Sequence, residues 1–248
     1  MKPATPILFV HGIRTSATMW RQQLAALGEA GYPALAIDLP GHGSRIAERF
    51  TVEGALAVID DGVAALGAPV VLVGLSLGGY YAIEYAARHP EQVAGLVAAG
   101  CCTIPSGWPL DAYRSLARLI LRLPDHGLRL HNALVRVLLP EQGAADTLAG
   151  GVPLHVMDAG LGATGTLRPL EGLSRYPGPV WLVNGAFDQF RLHERRFLAA
   201  CRNGRLVVVP RASHLVSLAQ PERFAALLRG ILDKVANNRP QSIVDPVE

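Results

Sequence analysis

Residues 70–79 read Val70-Val71-Leu72-Val73-Gly74-Leu75-Ser76-Leu77-Gly78-Gly79, an apolar run that ends on a serine set among glycines. A short, continuous apolar run closed by a turn is how a strand buried on both faces reads. The residues that follow, Leu77 to His89, carry helical spacing. G-x-S-x-G alone is a weak signal. Between a strand and a helix it is specific, because that turn holds the serine backbone in a strained conformation and presents the hydroxyl at a helix N-terminus. The flanking glycines let strand and helix approach without a Cβ clash.

Working outward, the same strand pattern recurs at Ile7 to Val10, Pro33 to Leu39, Val93 to Ala99, Val180 to Val183 and Leu206 to Val209. Between these runs lie helical stretches at Met19 to Ala30, Val52 to Leu66, Arg191 to Arg202 and Pro221 to Ala236. Strands that alternate with helices predict an α/β fold with a mostly parallel central sheet, here of about six strands, covered by helices on both faces. Ligands of such sheets sit beyond the carboxyl ends of the strands, so the residues just after each strand are the ones to inspect.

One interval breaks the alternation. Residues 103–175 contain no convincing strand but do contain amphipathic pieces at Asp111 to Leu123 and Leu128 to Leu139, then looser Gly-rich stretches at Gly143 to Gly150 and Gly162 to Gly165. That length exceeds ordinary connections and predicts an inserted helical cap over the strand ends. The expected organisation is a core from 1–102 and 176–236, the cap between them, and a flexible tail over 237–248.

A serine hydroxyl is a weak nucleophile until a base takes its proton. Of the eight histidines, His214 in Ala212-Ser213-His214-Leu215 directly follows the last strand, at the same sheet edge as Ser76. His89 ends a helix before Pro90, His126, His131 and His155 lie in the cap, and His193 opens a surface helix; none has comparable placement. An imidazole base needs a carboxylate to fix its tautomer. Asp188, a few residues beyond the strand in Val183-Asn184-Gly185-Ala186-Phe187-Asp188, fits best; Asp38 sits in Asp38-Leu39-Pro40-Gly41-His42-Gly43, where bonding to local backbone accounts for it. Serine, aspartate, histidine is also the chain order expected of such a site. The backbone N–H groups of Leu77 and Ile13 are the candidate oxyanion donors, Ile13 lying in the His11-Gly12-Ile13 turn after the first strand.

Composition narrows the partners. Half of the 248 residues are apolar, 17% are charged and the formal net charge is +3, without a block of like charges, which disfavours nucleic acid or an anionic membrane as the main partner. Cys101, Cys102 and Cys201 cannot form an even disulfide set, so a reducing, cytoplasmic setting is expected. The N-terminal apolar run spans only four residues, too few for a secretory signal or a membrane span. No metal-ligand spacing occurs, and neither metal nor organic cofactor is expected.

Taken together, His11-Gly12 with Trp20, Asp38 to Gly43, Gly74-x-Ser76-x-Gly78-Gly79, Gly185-x-x-Asp188, Ser213-His214 and Gln220-Pro221-Glu222 resemble the α/β-hydrolase superfamily, most closely its small bacterial branch of carboxylesterases and enol-lactonases. The likeness covers about residues 7–235 apart from the cap. It implies Ser76, Asp188 and His214 as a catalytic triad, with Ile13 and Leu77 as oxyanion donors. Two leading strands common in the superfamily are missing, and Ser213 stands where a glycine is usual. A serine rather than an aspartate nucleophile separates the chain from dehalogenases and epoxide hydrolases.

The reaction expected is acyl transfer to water on a small, largely apolar ester or lactone, with Trp108, Leu116 and Met157 of the cap as pocket candidates. A thioesterase, a carbon–carbon bond hydrolase, an acyltransferase or a cyclase would use the same triad. A ligand receptor on this fold would not need it. The oligomeric state is left open.

Overall fold

A computed structural model describes residues 4–238. Six strands, β1 (Ile7–Val10), β2 (Ala34–Ile37), β3 (Val70–Leu75), β4 (Val93–Ala99), β5 (Pro179–Gly185) and β6 (Asn203–Val209), form one sheet in the order β2-β1-β3-β4-β5-β6. Every neighbouring pair is parallel. The chain runs from β1 outward to β2, then returns past β1 to lay down β3. That reversal opens a crevice between the carboxyl ends of β1 and β3, where ligands of open parallel sheets bind.

Alternation along each strand builds two cores, because successive side chains point to opposite faces. Ile7 and Phe9 of β1, Val71 and Val73 of β3, and Val97 of β4 pack with Trp20, with Leu27 of α1 (Arg21–Glu29) and with Phe224 and Leu228 of α11 (Pro221–Asn238). Leu8 and Val10, Leu72 and Leu96 face the other way, against Ile59 and Val63 of α2 (Val52–Leu66), Ile83 of α3 (Leu77–Arg88) and Phe197 of α9 (Glu194–Ala200). Both faces being covered explains why β1 and β3 are apolar at every position. The covering helices are held by their ends as well. Thr51 caps α2 by accepting the Gly54 N–H at 3.0 Å, and the helix stops at Gly67, whose φ of 67° suits a left-handed terminus.

Between β4 and β5 lie five helices: α4 (Trp108–Ile120), α5 (Leu128–Leu138), α6 (Glu141–Ala149), α7 (Met157–Thr164) and α8 (Pro169–Arg175). The stretches around Gly143 to Gly150 and Gly162 to Gly165, expected to be loose, are largely helical in α6 and α7. Burial of Ala144, Thr147 and Leu161 outweighs the poor helix propensity of Gly143, Gly160 and Gly162. The final helix, expected to stop at Ala236, continues through Asn238, so the first two residues of the expected tail are helical. The rest of that tail lies outside the described residues.

Candidate active site

Sheet register assembles the site. Val10 of β1 pairs with Gly74 of β3, so two residues further on Gly12 stands beside Ser76. Leu75 pairs with Ala99 of β4, and the Ser76 N–H continues that ladder to the Ala99 carbonyl at 2.8 Å, which sets Gly100 next to Ser76. Gly100 in turn donates its N–H to Val183 of β5 at 2.9 Å. Gly185 pairs with Val209 of β6, and the loops leaving β5 and β6 carry Asp188 and His214. Five strands thus deliver Ile13, Ser76, Gly100, Asp188 and His214 to one rim.

Ser76 has φ 55° and ψ −115°, a backbone conformation that L-residues rarely adopt. Strain of this kind persists only where the surroundings over-determine it. Here the Ser76 N–H is tied to β4, and its carbonyl accepts the N–H groups of Gly79 and Tyr80 at 3.0 and 3.3 Å as α3 begins. Gly78 packs so tightly beneath β1 that a Cβ there would collide with the carbonyl oxygens of Val10 and His11. Ser76 is the residue that precedes α3, where the positive end of the helix favours developing negative charge.

Asp188 and His214 are joined. His214 Nδ1 lies 3.1 Å from Asp188 Oδ1, and the Asp188 side chain is fully buried. A carboxylate accepts only, so Nδ1 carries the proton and Nε2 keeps a free lone pair. The Phe190 N–H donates to the same Oδ1 at 2.8 Å, which holds the carboxylate from the chain side. The Phe190 ring leans on the His214 ring at 4.6 Å between centroids, and Tyr113 of α4 meets Phe190 edge-on at 5.8 Å. Beneath the pair lies Gly100, with φ 59°; a Cβ on it would stand 3.0 Å from His214 Nδ1 and Cε1 and 3.2 Å from Asp188 Oδ2. The Ser76 hydroxyl makes no hydrogen bond among the described residues. Nucleophile–base contacts are often long without substrate and tighten in the complex.

The peptide between Gly12 and Ile13 is held from one side. Its carbonyl oxygen lies 2.8 Å from His11 Nδ1 and accepts the Thr15 hydroxyl at 2.7 Å. In a trans peptide the N–H points opposite to the carbonyl, so two anchors on oxygen aim the Ile13 N–H the other way. His11 is itself fixed, because its Nε2 accepts the Leu39 N–H at 3.0 Å. Burial, reinforced by the neighbouring His42 ring, pushes the His11 pKa down to about 3. It therefore stays neutral, with Nδ1 donating and Nε2 accepting. Asp38 accepts the Ser44 N–H at 2.9 Å and the Ser44 hydroxyl, the local bonding expected of it, and reaches beyond its turn to accept the Ala17 N–H at 2.7 Å.

A pocket with a cavity volume near 220 Å³ opens over Ser76. Ile13 and Leu77 line it on the core side, Trp108, Leu110 and Tyr113 on the α4 side, and Phe190 and Leu192 from the loop after β5. None of its lining residues is charged. Of the cap candidates, Trp108 is at the pocket and the other two are not. Leu116 points outward from α4 and is 53% exposed, because Leu110 and Tyr113 already occupy the helix face turned to the pocket. Met157 is buried with Ala117 and Leu161 beneath the wall, where it supports the pocket without lining it. Thr15, Gly100, Phe190 and Tyr113 were not singled out from sequence. Gly100, a glycine directly ending a buried strand, carried the one readable signal. Among the described residues, no group of three or more His, Cys, Asp or Glu side chains is placed to hold a metal ion.

Sequence and fold comparisons identify the family. The profile of the Alpha/beta hydrolase family matches residues 7–227. The chain belongs to that family. This alpha/beta hydrolase is 31% identical over 259 aligned positions to a pimeloyl-[acyl-carrier protein] methyl ester esterase of Neisseria meningitidis serogroup C, covering 92% of this chain and 94% of the relative. It is 39% identical over 260 positions to an esterase of Mycobacterium tuberculosis, covering 93% and 83%. Among solved structures, a thermophilic esterase from Thermogutta terrifontis superposes with a TM-score of 0.76 at 25% identity, covering 94% of this hydrolase and 91% of the other chain.

Proposed function

We propose that this hydrolase is a serine esterase that cleaves a neutral carboxylic ester or lactone of a small, largely apolar substrate through an acyl-enzyme. The observation that carries the reading is the Asp188–His214 pair resting on Gly100, the residue just after β4 and beside Ser76. Relatives named as esterases support the reaction class. The uncharged pocket supports the substrate class, since an ionised group would lose its hydration there without gaining a counter-charge.

In this mechanism His214 Nε2 takes the Ser76 proton as Oγ attacks the carbonyl carbon, and the imidazolium is stabilised by Asp188. The carbonyl π pair becomes an oxyanion held by the Ile13 and Leu77 N–H groups, neither of which has an acceptor among the described residues. Collapse breaks the bond to the alcohol oxygen, which takes the proton from His214 and leaves. Water then gives its proton to His214, attacks the acyl carbon, and releases the acid as Ser76 recovers its proton. Residues 103–175 act as a cap, with α4 forming one wall of the pocket. The three free cysteines, two of them buried, support a cytoplasmic setting.

The test pairs labelling with turnover. A fluorophosphonate should modify Ser76, and Ser76→Ala should lose labelling and roughly a million-fold of hydrolysis on a short-chain ester. Near-normal turnover by Ser76→Ala, or labelling at another serine, would overturn the assignment.

A further inference from the structure

Helices α4 and α5 are apolar on two sides. The inner side of α4 is used by Leu110, Tyr113 and Ala117, and that of α5 by Val135. Their outer sides carry a second set: Leu116 and Leu119 on α4 with Leu123 just beyond it, and Leu130, Leu134, Val137 and Leu138 on α5. The α5 set follows i, i+4, i+7, i+8, one continuous stripe. Leu119 is 60% exposed, Leu138 65% and Val137 81%. Neighbouring large apolar residues left this bare mark an interaction surface.

Charge indicates what the surface meets. Residues 108–138 contain five arginines and two aspartates. Arg114 and Arg118 are engaged by Asp158 of α7, and Arg129 reaches Asp125 only at 4.0 Å. Arg122 and Arg136 are exposed and form no ion pair among the described residues. A second copy would bring these arginines against one another, which disfavours self-association through this face. Exposed leucines on one side of a helix and arginines on another match an interfacial helix on anionic lipid. The pocket adjoins the surface. Trp108, 76% exposed at the first turn of α4, lines the pocket beside Leu192, which is also exposed. A tryptophan with one wet edge and one apolar edge suits a lipid–water boundary.

We propose that the outer faces of α4 and α5 dock on an anionic lipid bilayer, and that an amphiphilic ester passes from the lipid into the pocket at Trp108. The sequence composition disfavoured such a partner because the overall charge is small; the cap concentrates what there is. Docking is read without turnover, so its failure and the failure of the Ser76 assignment are separate results.

The experiment is co-sedimentation of the full chain with vesicles of phosphatidylglycerol mixed with phosphatidylcholine, against phosphatidylcholine alone. Binding is expected on the anionic vesicles and should fall as salt rises. Leu134→Gln and Val137→Gln, both at exposed positions, should each weaken binding by about tenfold, and Arg122→Gln and Arg136→Gln by about fivefold each. All four should hydrolyse a soluble short-chain ester like the wild type. The inference is overturned if the wild type stays in the supernatant, if the variants sediment as it does, or if neutral vesicles bind as well as anionic ones. It is equally overturned if Leu134→Gln splits a dimer seen in light scattering, or if the surface retains an acidic protein and not vesicles.

Discussion

One end of a peptide group cannot turn without the other, so under the proposed mechanism Thr15 would act on catalysis without touching substrate. Its hydroxyl sits 3.3 Å from the Met19 sulfur, but its proton goes to the nearer Gly12 oxygen. Thr15→Val keeps the shape and removes that anchor. We expect kcat to fall on the order of tenfold, less than the hundred- to thousand-fold of a lost oxyanion donor, because His11 still holds the same oxygen. KM should barely move and Thr15→Ser should restore activity; steady-state kinetics on the three proteins checks it. His11 has its own signature in acid. Its folded pKa of about 3 lies below the ordinary 6.5, so below 6.5 the unfolded chain binds the extra proton. The stability His11 contributes is therefore complete above 6.5 and drains away as pH falls toward 3. His42, lowered by burial in the same way, adds to it. Urea midpoints should fall less steeply with acid in His11→Gln than in wild type, although the variant is weaker at neutral pH.

At the scale of elements, the contact between α3 and β1 keeps the strained Ser76 turn closed. Gly78→Ala places a methyl against backbone that cannot step aside, so it should cost about 1–3 kcal/mol in urea unfolding and lower turnover more than binding. Strands and the turn after β3 were legible in the sequence because short apolar runs closed by turns recur between helical stretches, and G-x-S-x-G set between such a run and a helix becomes specific. Asp188 and His214 were placed at the sheet edge by the strands before them, and that is where they lie. The α4 to α7 region was harder. A helix apolar on two sides gives a spacing that cannot say which side is inside, so Leu116 was read inward and lies outward. Low helix propensity around Gly143 and Gly162 hid α6 and α7, which tertiary burial stabilises. Thr15 was hidden because its partner is a main-chain carbonyl three residues back, with nothing in the residue pattern to announce it.

For the whole molecule, the uncharged pocket sets a selectivity. An ester whose acyl chain ends in a carboxylate must strip that charge of water against neutral walls, close to Asp188. We expect its kcat/KM to fall at least about tenfold below that of the same chain ending in a methyl group or a methyl ester. Rates for a matched series of such esters provide the measurement; equal rates would mean that the chain end stays in solvent.

Gly100 reaches beyond enzymology to how variants of this hydrolase would be scored. It has no atom to contribute to bond making, yet its bare α-carbon is the floor on which the imidazole and carboxylate lie. In a saturation-mutagenesis survey ranked by activity, position 100 would come back as intolerant as the reacting residues, and its reason would be space.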